Sequence, residues 1–569
     1  MTVQRRQSRQ VRAPIIALSR RPAFGRLLMA LPWMLLCAAP RADSLDIQNA
    51  RQASVRVATD DVVRENLPST LFGFNIQHHN FQNDLWRERD RSVDPDVVEA
   101  LQSFPGALYR YPGGLVANRF WWQETVGAPS KRLGQKAVST SPGRPVQFGV
   151  EEYFDFVRCV NGHPWYVLNL VGWDARSMLR ELPESTLSES NAALAKLLKA
   201  SFQDVPRYYQ LGNELDRSEY QWPHEKYVQR ARGSIAAIRE VDPEAKFVAF
   251  LRDFNWTYKG GERNGSVSTS EQFIGDVIEG LPEVEDFSLH FYYDDPGMSE
   301  IYKQIPWRLK SFRRAIAAAN RQRPAQSFGV WITEHARGVN FAAGKLMQRA
   351  HVTSNLAAAV STGDFLIALA QIPEVQGAAW HGLNAGPWQL FDASIQHRDL
   401  RPRPVYWGMR VLRAMDLPIT LRTFTSSPNI GNYAGGYDVR AAAFTDEAGD
   451  TLGLWTVNRS WRETPVDLQV PSWKNRRVAI RHFYVAGEAG KDPDGEHVSP
   501  KIELAPIAVD GAFSSSGSIQ VELPPSSVSS FTFARVPAAG PQATAADRPA
   551  PPAADLEPRY ALEGRPRTP

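Results

Sequence analysis

Arg207-Tyr208-Tyr209-Gln210-Leu211-Gly212-Asn213-Glu214 and Phe328-Gly329-Val330-Trp331-Ile332-Thr333-Glu334-His335 are the stretches whose reading decides the fold. Each is a short, mostly apolar run that arrives at a carboxylate. Such a run, bounded by turn residues, reads as a strand buried on both faces. The two cores are Arg207–Gly212 and Phe328–Thr333, and six similar runs surround them: Leu71–Gln77, Ala107–Pro112, Trp165–Leu170, Lys246–Leu251, Asp286–Phe291 and Gln376–His381. Helical patterns lie between most of them. The clearest carries Tyr227, Val228, Ala231, Ile235 and Ile238 on one face and stops at Asp242-Pro243. Eight strand–helix units in series predict an α/β chain built on a (β/α)8 TIM barrel over 66–416. An open doubly wound sheet is the alternative, but no glycine-rich phosphate or dinucleotide fingerprint follows the first strand.

Beyond the barrel the pattern changes. Ala441–Thr445, Leu452–Asn458, Val466–Val470, Val478–Tyr484 and Val528–Arg535 are short β-rich segments separated by Gly, Pro and Asp. They predict a C-terminal all-β sandwich domain over 417–537. Ala53–Ala58, within a leader strand over 43–65, is expected to join that sandwich. The Pro- and Ala-rich tail, 538–569, lacks apolar periodicity and reads as disordered.

The chain has 569 residues, of which 43% are hydrophobic and 22% charged, which suits folded domains with ordinary cores. A net charge of +4 is small for this length and leaves no nucleic-acid footprint. Residues 1–42 read as a signal peptide. Arg5, Arg6, Arg9, Arg12, Arg20 and Arg21 form a basic region, and the apolar stretch Leu27–Ala39 is too short to span a bilayer. Ser19-Arg20-Arg21 matches a twin-arginine signal only in part. Leu36 before Cys37 departs from a lipobox, so no stable membrane anchor is expected. Export to the periplasm or beyond the cell is expected, and Cys159 is then the only cysteine, with no intrachain disulfide.

In a barrel of this kind the active site lies at the carboxyl ends of the strands. Strand four leads into Asn213-Glu214, and strand seven into Glu334-His335. Two facing carboxylates are what glycoside hydrolysis requires: one protonated to assist the leaving oxygen, the other ionised to attack the anomeric carbon. Either glutamate alone reads equally well as a surface residue near a helix N-terminus. The pairing on strands four and seven makes the catalytic reading the stronger one. An oligo- or polysaccharide is then the expected partner, and no cofactor or metal is called for.

The order of these motifs resembles clan A of the glycoside hydrolases, and several segments are similar to family 51, the α-L-arabinofuranosidases. Tyr109-Arg110-Tyr111-Pro112-Gly113-Gly114 resembles that family's Arg-x-Pro-Gly-Gly segment, and Trp121-Trp122 and Val126-Gly127 follow as they do there. Phe148–Glu152, Val167-Leu168-Asn169 and Ser288–Tyr293 match in turn, and the likeness covers most of Leu71–Met415. The resemblance implies a retaining hydrolase with Glu214 as acid/base and Glu334 as nucleophile. It implies that Asn213 bonds the sugar 2-hydroxyl, and that Tyr292 orients the nucleophile or touches the sugar. Asn384, in Trp380-His381-Gly382-Leu383-Asn384, stands where the family has a sugar-binding Gln. Arg110 is expected to keep Glu334 ionised, or else to serve as a buried structural ion pair. His290 is more often structural than catalytic in such a place. Trp122 and Trp380 complete the candidate sugar contacts, with Trp121, Trp222 and Trp388 as further stacking platforms.

Two positions depart from the family. Gln77 stands where it has a sugar-gripping Glu, and Leu115 where an Asn follows Pro-Gly-Gly. Losing a polar contact usually costs a site its old substrate heavily, so another sugar, or an endo-acting hydrolase on a different polysaccharide, is the alternative. Lys131, Arg132, Lys136 and Arg144 could steer an acidic polysaccharide or simply form a solvated loop. A metalloenzyme using His78, His79, Asp84, His290 and His381 is a rival reading, weakened by the lack of ligand spacing such as His-Glu-x-x-His. A non-catalytic sugar-binding protein on the same fold is the other.

Overall fold

The computed structural model describes residues 44–77, 85–87, 91–132, 146–172, 182–215, 220, 222–251, 270–294, 313–314, 316–338, 350–383, 388–392, 400–494 and 500–536. The signal segment, the tail, His78, His79, Asp84, Lys136, Arg144 and Asn384 lie outside the described residues.

Eight parallel strands close into a barrel. In chain order they are Gly73–Gln77, Leu108–Gly113, His163–Val167, Tyr208–Gln210, Lys246–Phe250, Val284–Tyr293, Gly329–Arg337 and Val375–His381, called strands one to eight below. All eight predicted runs are strands. Strand three begins two residues earlier than its run, and strand seven continues past Glu334 to Arg337. Continuous apolar character marks where a strand lies, but the ladder to its neighbours fixes its ends.

Alternation along each strand sorts side chains into two cores. Tyr109, Tyr209, Phe247 and Phe291 point outward into the large core shared with the helices. Leu108, Trp165, Val167, Val248 and Trp331 fill the barrel interior, with Tyr208 packed against them. Trp165, Tyr208 and Trp331 form an aromatic plug with ring centroids 4.8–5.0 Å apart. The barrel is thus a filled core, and its floor is dry.

The second body is a path of hydrogen-bonded strands in one ten-stranded sheet. Its inner face encloses a separate core that includes Val55, Val57, Leu454, Val466, Val521 and Phe533. Ala53–Arg64 runs between Ile419–Ser427 and Thr464–Gln469, so the segment before the barrel is part of this domain. The helix Leu356–Ala370 lies between the two bodies. Every one of its residues is buried, which is why its sequence is mostly apolar on all sides, with its one charge, Asp364, paired to Arg440 and Arg459. Asn355 caps it, its side-chain oxygen accepting from the Ala358 N–H at 2.9 Å.

Candidate active site

Above the aromatic plug the barrel turns polar. Trp165 Nε1 donates to Gln210 Oε1 at 3.1 Å, and the same oxygen accepts from Arg110 Nε at 2.8 Å. Arg110 is fully buried, so each N–H it fails to pair would carry a desolvation penalty. Its other nitrogens donate to Asn75 Oδ1 at 2.9 Å, Glu334 Oε1 at 2.8 Å and Asn213 Oδ1 at 2.6 Å. One guanidinium on strand two therefore ties together strands one, four and seven. Both sequence readings of Arg110 describe it: it is a buried ion pair, and its partner is the candidate nucleophile. Gly113 lets this layer close, because a Cβ there would fall 2.2 Å from Asn75 Oδ1.

Strand seven needs a bulge to present Glu334. Leu289 faces Ile332, yet His290 faces Glu334, so Thr333 is one extra residue in the ladder. Trp331 points into the barrel, and simple alternation would turn Glu334 outward. The extra residue re-aims it inward, while His335 packs outward against Phe365 of the buried helix. On strand six, His290 and Tyr292 face the same cavity. Tyr292 donates its hydroxyl to Glu334 Oε2 at 2.9 Å. His290 Nδ1 is 2.7 Å from Glu214 Oε1 and 3.4 Å from Glu334 Oε2. One imidazole thus stands between the two carboxylates.

The two glutamates live in unlike surroundings. Glu214 keeps about a quarter of its side chain open to solvent, whereas Glu334 keeps 4%. Burial pushes the Glu334 carboxyl up, but His290, His381, Arg110 and the Tyr292 hydrogen bond outweigh it and hold the group well below the usual carboxylate range. Burial brings His381 itself down to about 4, so it is neutral at pH 7 and Arg110 is the lasting counter-charge. Asn75 Nδ2 lies 2.6 Å from His381 Nδ1 and fixes that ring.

Of the sequence candidates, Glu214, Glu334, Asn213, Tyr292, His290 and Arg110 meet in one cavity. Gln77 ends strand one opposite Gly113. Trp380 does not reach the cavity. It pairs with outward-facing Phe74 and is fully buried in the outer core; alternation gives the inward place to His381. Trp122 is also committed elsewhere: it is buried and donates its indole N–H to Ser190 at 3.1 Å. Trp222 and Trp388 are buried as well, Trp388 standing behind Tyr292 with ring centroids 5.4 Å apart; Trp121 is half-buried. Arg132 is no steering charge. It is buried, with both Glu152 oxygens and the Val146 carbonyl as acceptors. Sequence reading passed over Asn75, Gln210 and Asn118 as site residues and weighed His381 only as a ligand in the rival metal reading. Their one signal is a polar side chain inside or just after an apolar strand.

One ligand-type atom from each of Glu214, His290 and Glu334 lies within 4.8 Å of the other two. A small divalent ion fits that spacing, but the Arg110 guanidinium already neutralises Glu334 and would repel it.

A closed barrel with one glutamate just past strand four and another inside strand seven, followed by a β domain, resembles the clan A type of glycoside hydrolase architecture. Within it the resemblance is to family 51. No protein-family model matches the chain. Among curated proteins, an intracellular exo-α-(1→5)-L-arabinofuranosidase of Streptomyces lividans is 27% identical over 208 residues, covering 35% of this chain and 30% of that protein. An intracellular exo-α-L-arabinofuranosidase of Bacteroides ovatus is 24% identical over 195 residues, covering 32% and 37%. The matched stretch thus spans well under half the length of these relatives. Among solved structures, the family 51 arabinofuranosidase of Xanthomonas axonopodis pv. citri superposes with a TM-score of 0.64 at 18% identity, covering 85% of this chain and 99% of that one. A family 51 α-L-arabinofuranosidase of Bifidobacterium longum gives 0.65 at 16%, covering 85% and 100%. These superpositions establish the shared fold.

Proposed function

We propose that this protein is a retaining glycoside hydrolase that cleaves an oligo- or polysaccharide by double displacement. The observation that carries the proposal is the contrast between two close carboxylates. Glu334 is buried, salt-bridged and held ionised; Glu214 is partly exposed and bonded to His290. Their nearest oxygens lie within 4.8 Å, a close approach that favours retaining enzymes, whose carboxyls are about 5–5.5 Å apart, over inverting ones at about 6.5–9.5 Å. Glu334 attacks C1 while Glu214 protonates the departing oxygen; Glu214 then takes a proton from water, which releases the sugar from Glu334. Asn213 supports the same reading. Its Nδ2 is buried without a partner among the described residues, and a sugar 2-hydroxyl would supply one. None of these steps calls for a metal or cofactor.

The relatives' names favour α-L-arabinofuranose as the sugar. Leu115 favours a second reading. It lies half-buried on the turn after strand two and offers an apolar surface where family 51 has an amide. The basic and apolar N-terminal segment further supports action outside the cytoplasm.

The test is hydrolysis of aryl glycosides and polysaccharides by the wild type, Glu214→Gln and Glu334→Gln, with the anomeric configuration of the first-formed product read by NMR. Retention, lost activity in both variants and indifference to EDTA are expected. Inversion, or activity surviving in Glu334→Gln, would refute the assignment. Release of aryl arabinofuranoside would decide between the two sugars. Activity in the periplasmic or culture fraction tests export.

A further inference from the structure

Glu214 sits on a backbone that does not hold itself. Its φ is +47°, in the left-handed region, directly after Asn213 and close to Gly212 at +80°. A residue with a Cβ reaches that region at a cost of roughly 1 kcal/mol or more. Strand four ends at Gln210, and its ladder to strand five runs one residue further, the Leu211 N–H donating to the Val248 carbonyl at 2.9 Å. Beyond that, side chains hold the turn that carries Glu214.

Asn118 does this. It lies on the short turn Gly114–Arg119 after strand two and is fully buried. Its Nδ2 donates to the Asn213 carbonyl at 2.6 Å, and its Oδ1 accepts from the Asn213 N–H at 3.0 Å. The first bond holds the peptide plane that joins Asn213 to Glu214. The second holds the plane before it. One side chain thus fixes both planes flanking Asn213, and through them the start of Glu214. Arg110, on strand two itself, holds the Asn213 side chain at 2.6 Å. Backbone and side chain of this one residue are therefore gripped from strand two and the turn that follows it.

We propose that Asn118 is a positioning residue for the acid/base, aiming Glu214 at the leaving-group oxygen; this rests on the hydrolase reading above. Asn118 does not reach the substrate. Arg110 separately anchors the Asn213 side chain, so the effect of Asn118 should be largest where proton delivery limits the rate. A misplacement of about 1 Å can cost on the order of a hundredfold in rate. Dinitrophenolate leaves without a proton, so kcat/KM for a dinitrophenyl glycoside reports formation of the glycosyl–enzyme without help from Glu214. An alkyl glycoside or a natural glycan needs the proton.

The experiment compares Asn118→Ala and Asn118→Asp with wild type on both substrate types. Asp is nearly isosteric and keeps the acceptor for the Asn213 N–H, but it turns an oxygen toward the Asn213 carbonyl. It serves where Asn118→Ala fails to fold. The expected result is a loss of roughly ten- to a hundredfold in kcat/KM on the poor leaving group, with the dinitrophenyl value near wild type and an unchanged circular dichroism spectrum. Equal losses on both substrates, or no loss on either, would overturn the role of Asn118 while leaving the hydrolase reading intact. A wild type inert toward every glycoside would overturn the hydrolase reading and Asn118's role with it.

Discussion

Two buried arginine networks lie in this molecule, and they are built to opposite ends. At the barrel mouth, Arg110 meets one carboxylate and three amides, from Asn75, Asn213 and Gln210. At the junction with the β domain, charge meets charge. Arg459 pairs with Asp294 at 3.2 Å and Asp364 at 3.0 Å, and Arg440 pairs with Asp364 at 2.5 Å. Tyr433 and Tyr437 cover the Arg459 guanidinium at 5.6 and 4.7 Å, and Arg337 pairs with Asp494. The junction cluster fastens strands six and seven to the loops of the second domain. Among the described residues both clusters hold unpaired polar atoms, Asn213 Nδ2 at the mouth and Arg459 Nε and Asp294 Oδ1 at the junction. What sets the mouth apart is its company: Glu334 gives its second oxygen to Tyr292 and shares His290 with the partly exposed Glu214. The junction matches charge with charge out of solvent, while the mouth gathers a carboxylate, amides and a second, solvent-reached carboxylate in one place.

The sharpest way to break this contrast is at the nucleophile. Glu334→Gly should lower kcat/KM on the order of 10^4-fold or more, with partial rescue by azide; because it leaves the buried Arg110 without its carboxylate, the melting temperature should fall as well. Full activity without azide would remove the functional half of the comparison. The junction should answer in stability alone. Arg459→Met strands Asp294 and part of Asp364, and removal of one partner from a buried pair costs about 3–5 kcal/mol. Urea titration should show that loss while the folded fraction keeps its kcat/KM; the reverse pattern would mean that the clusters exchange roles.

A smaller effect sharpens the mouth itself. Tyr292→Phe removes a hydrogen bond to the ionised Glu334, worth about 1.5–3 kcal/mol to a charged group. The Glu334 pKa should rise toward its ordinary value, so the acid limb of the pH–kcat/KM profile should move to higher pH. An unmoved limb would show that Arg110 alone sets the ionisation. The mildest prediction concerns the folded state. Burial lowers His335 to about 3, His381 to about 4 and His482 to about 4. The unfolded chain protonates these rings near 6.5 and the folded chain does so only far below. Between those values the unfolded state binds more protons, so stability should fall as pH drops from about 6.5 toward 4. His482 stacks on Phe531 in the β domain with ring centroids 3.9 Å apart, away from the mouth. His482→Gln should flatten part of that slope without touching activity, as acid-range melting curves would show.

The pairing of Glu214 with Glu334 was legible because both follow apolar runs whose number and spacing imply a closed barrel. Arg110 and Tyr292 were legible through motifs that resemble family 51. The aromatic residues misled. Trp380 and Trp122 lie close in sequence to the site, but a tryptophan beside a strand end is as ready to fill a core as to meet a sugar. Arg132 misled in the same way, since a loop arginine reads as solvated until a buried Glu152 is seen against it.

The sequence by itself determined that eight buried strands form, that a β domain follows them, and that carboxylates stand at the carboxyl-terminal parts of strands four and seven. Those are properties of composition along the chain. Only the tertiary structure decided which side chains enter the cavity. His381 faces inward and Trp380 outward because strand eight pairs in one register with strand one. Glu334 faces inward because Thr333 is an extra residue against strand six. Asn118 reaches Asn213 across 95 positions of sequence. The physical reason is common to all three. The face a strand residue presents depends on parity counted from its neighbour's register, and a single bulge inverts that parity. Register belongs to pairs of strands, so it is written in no single segment.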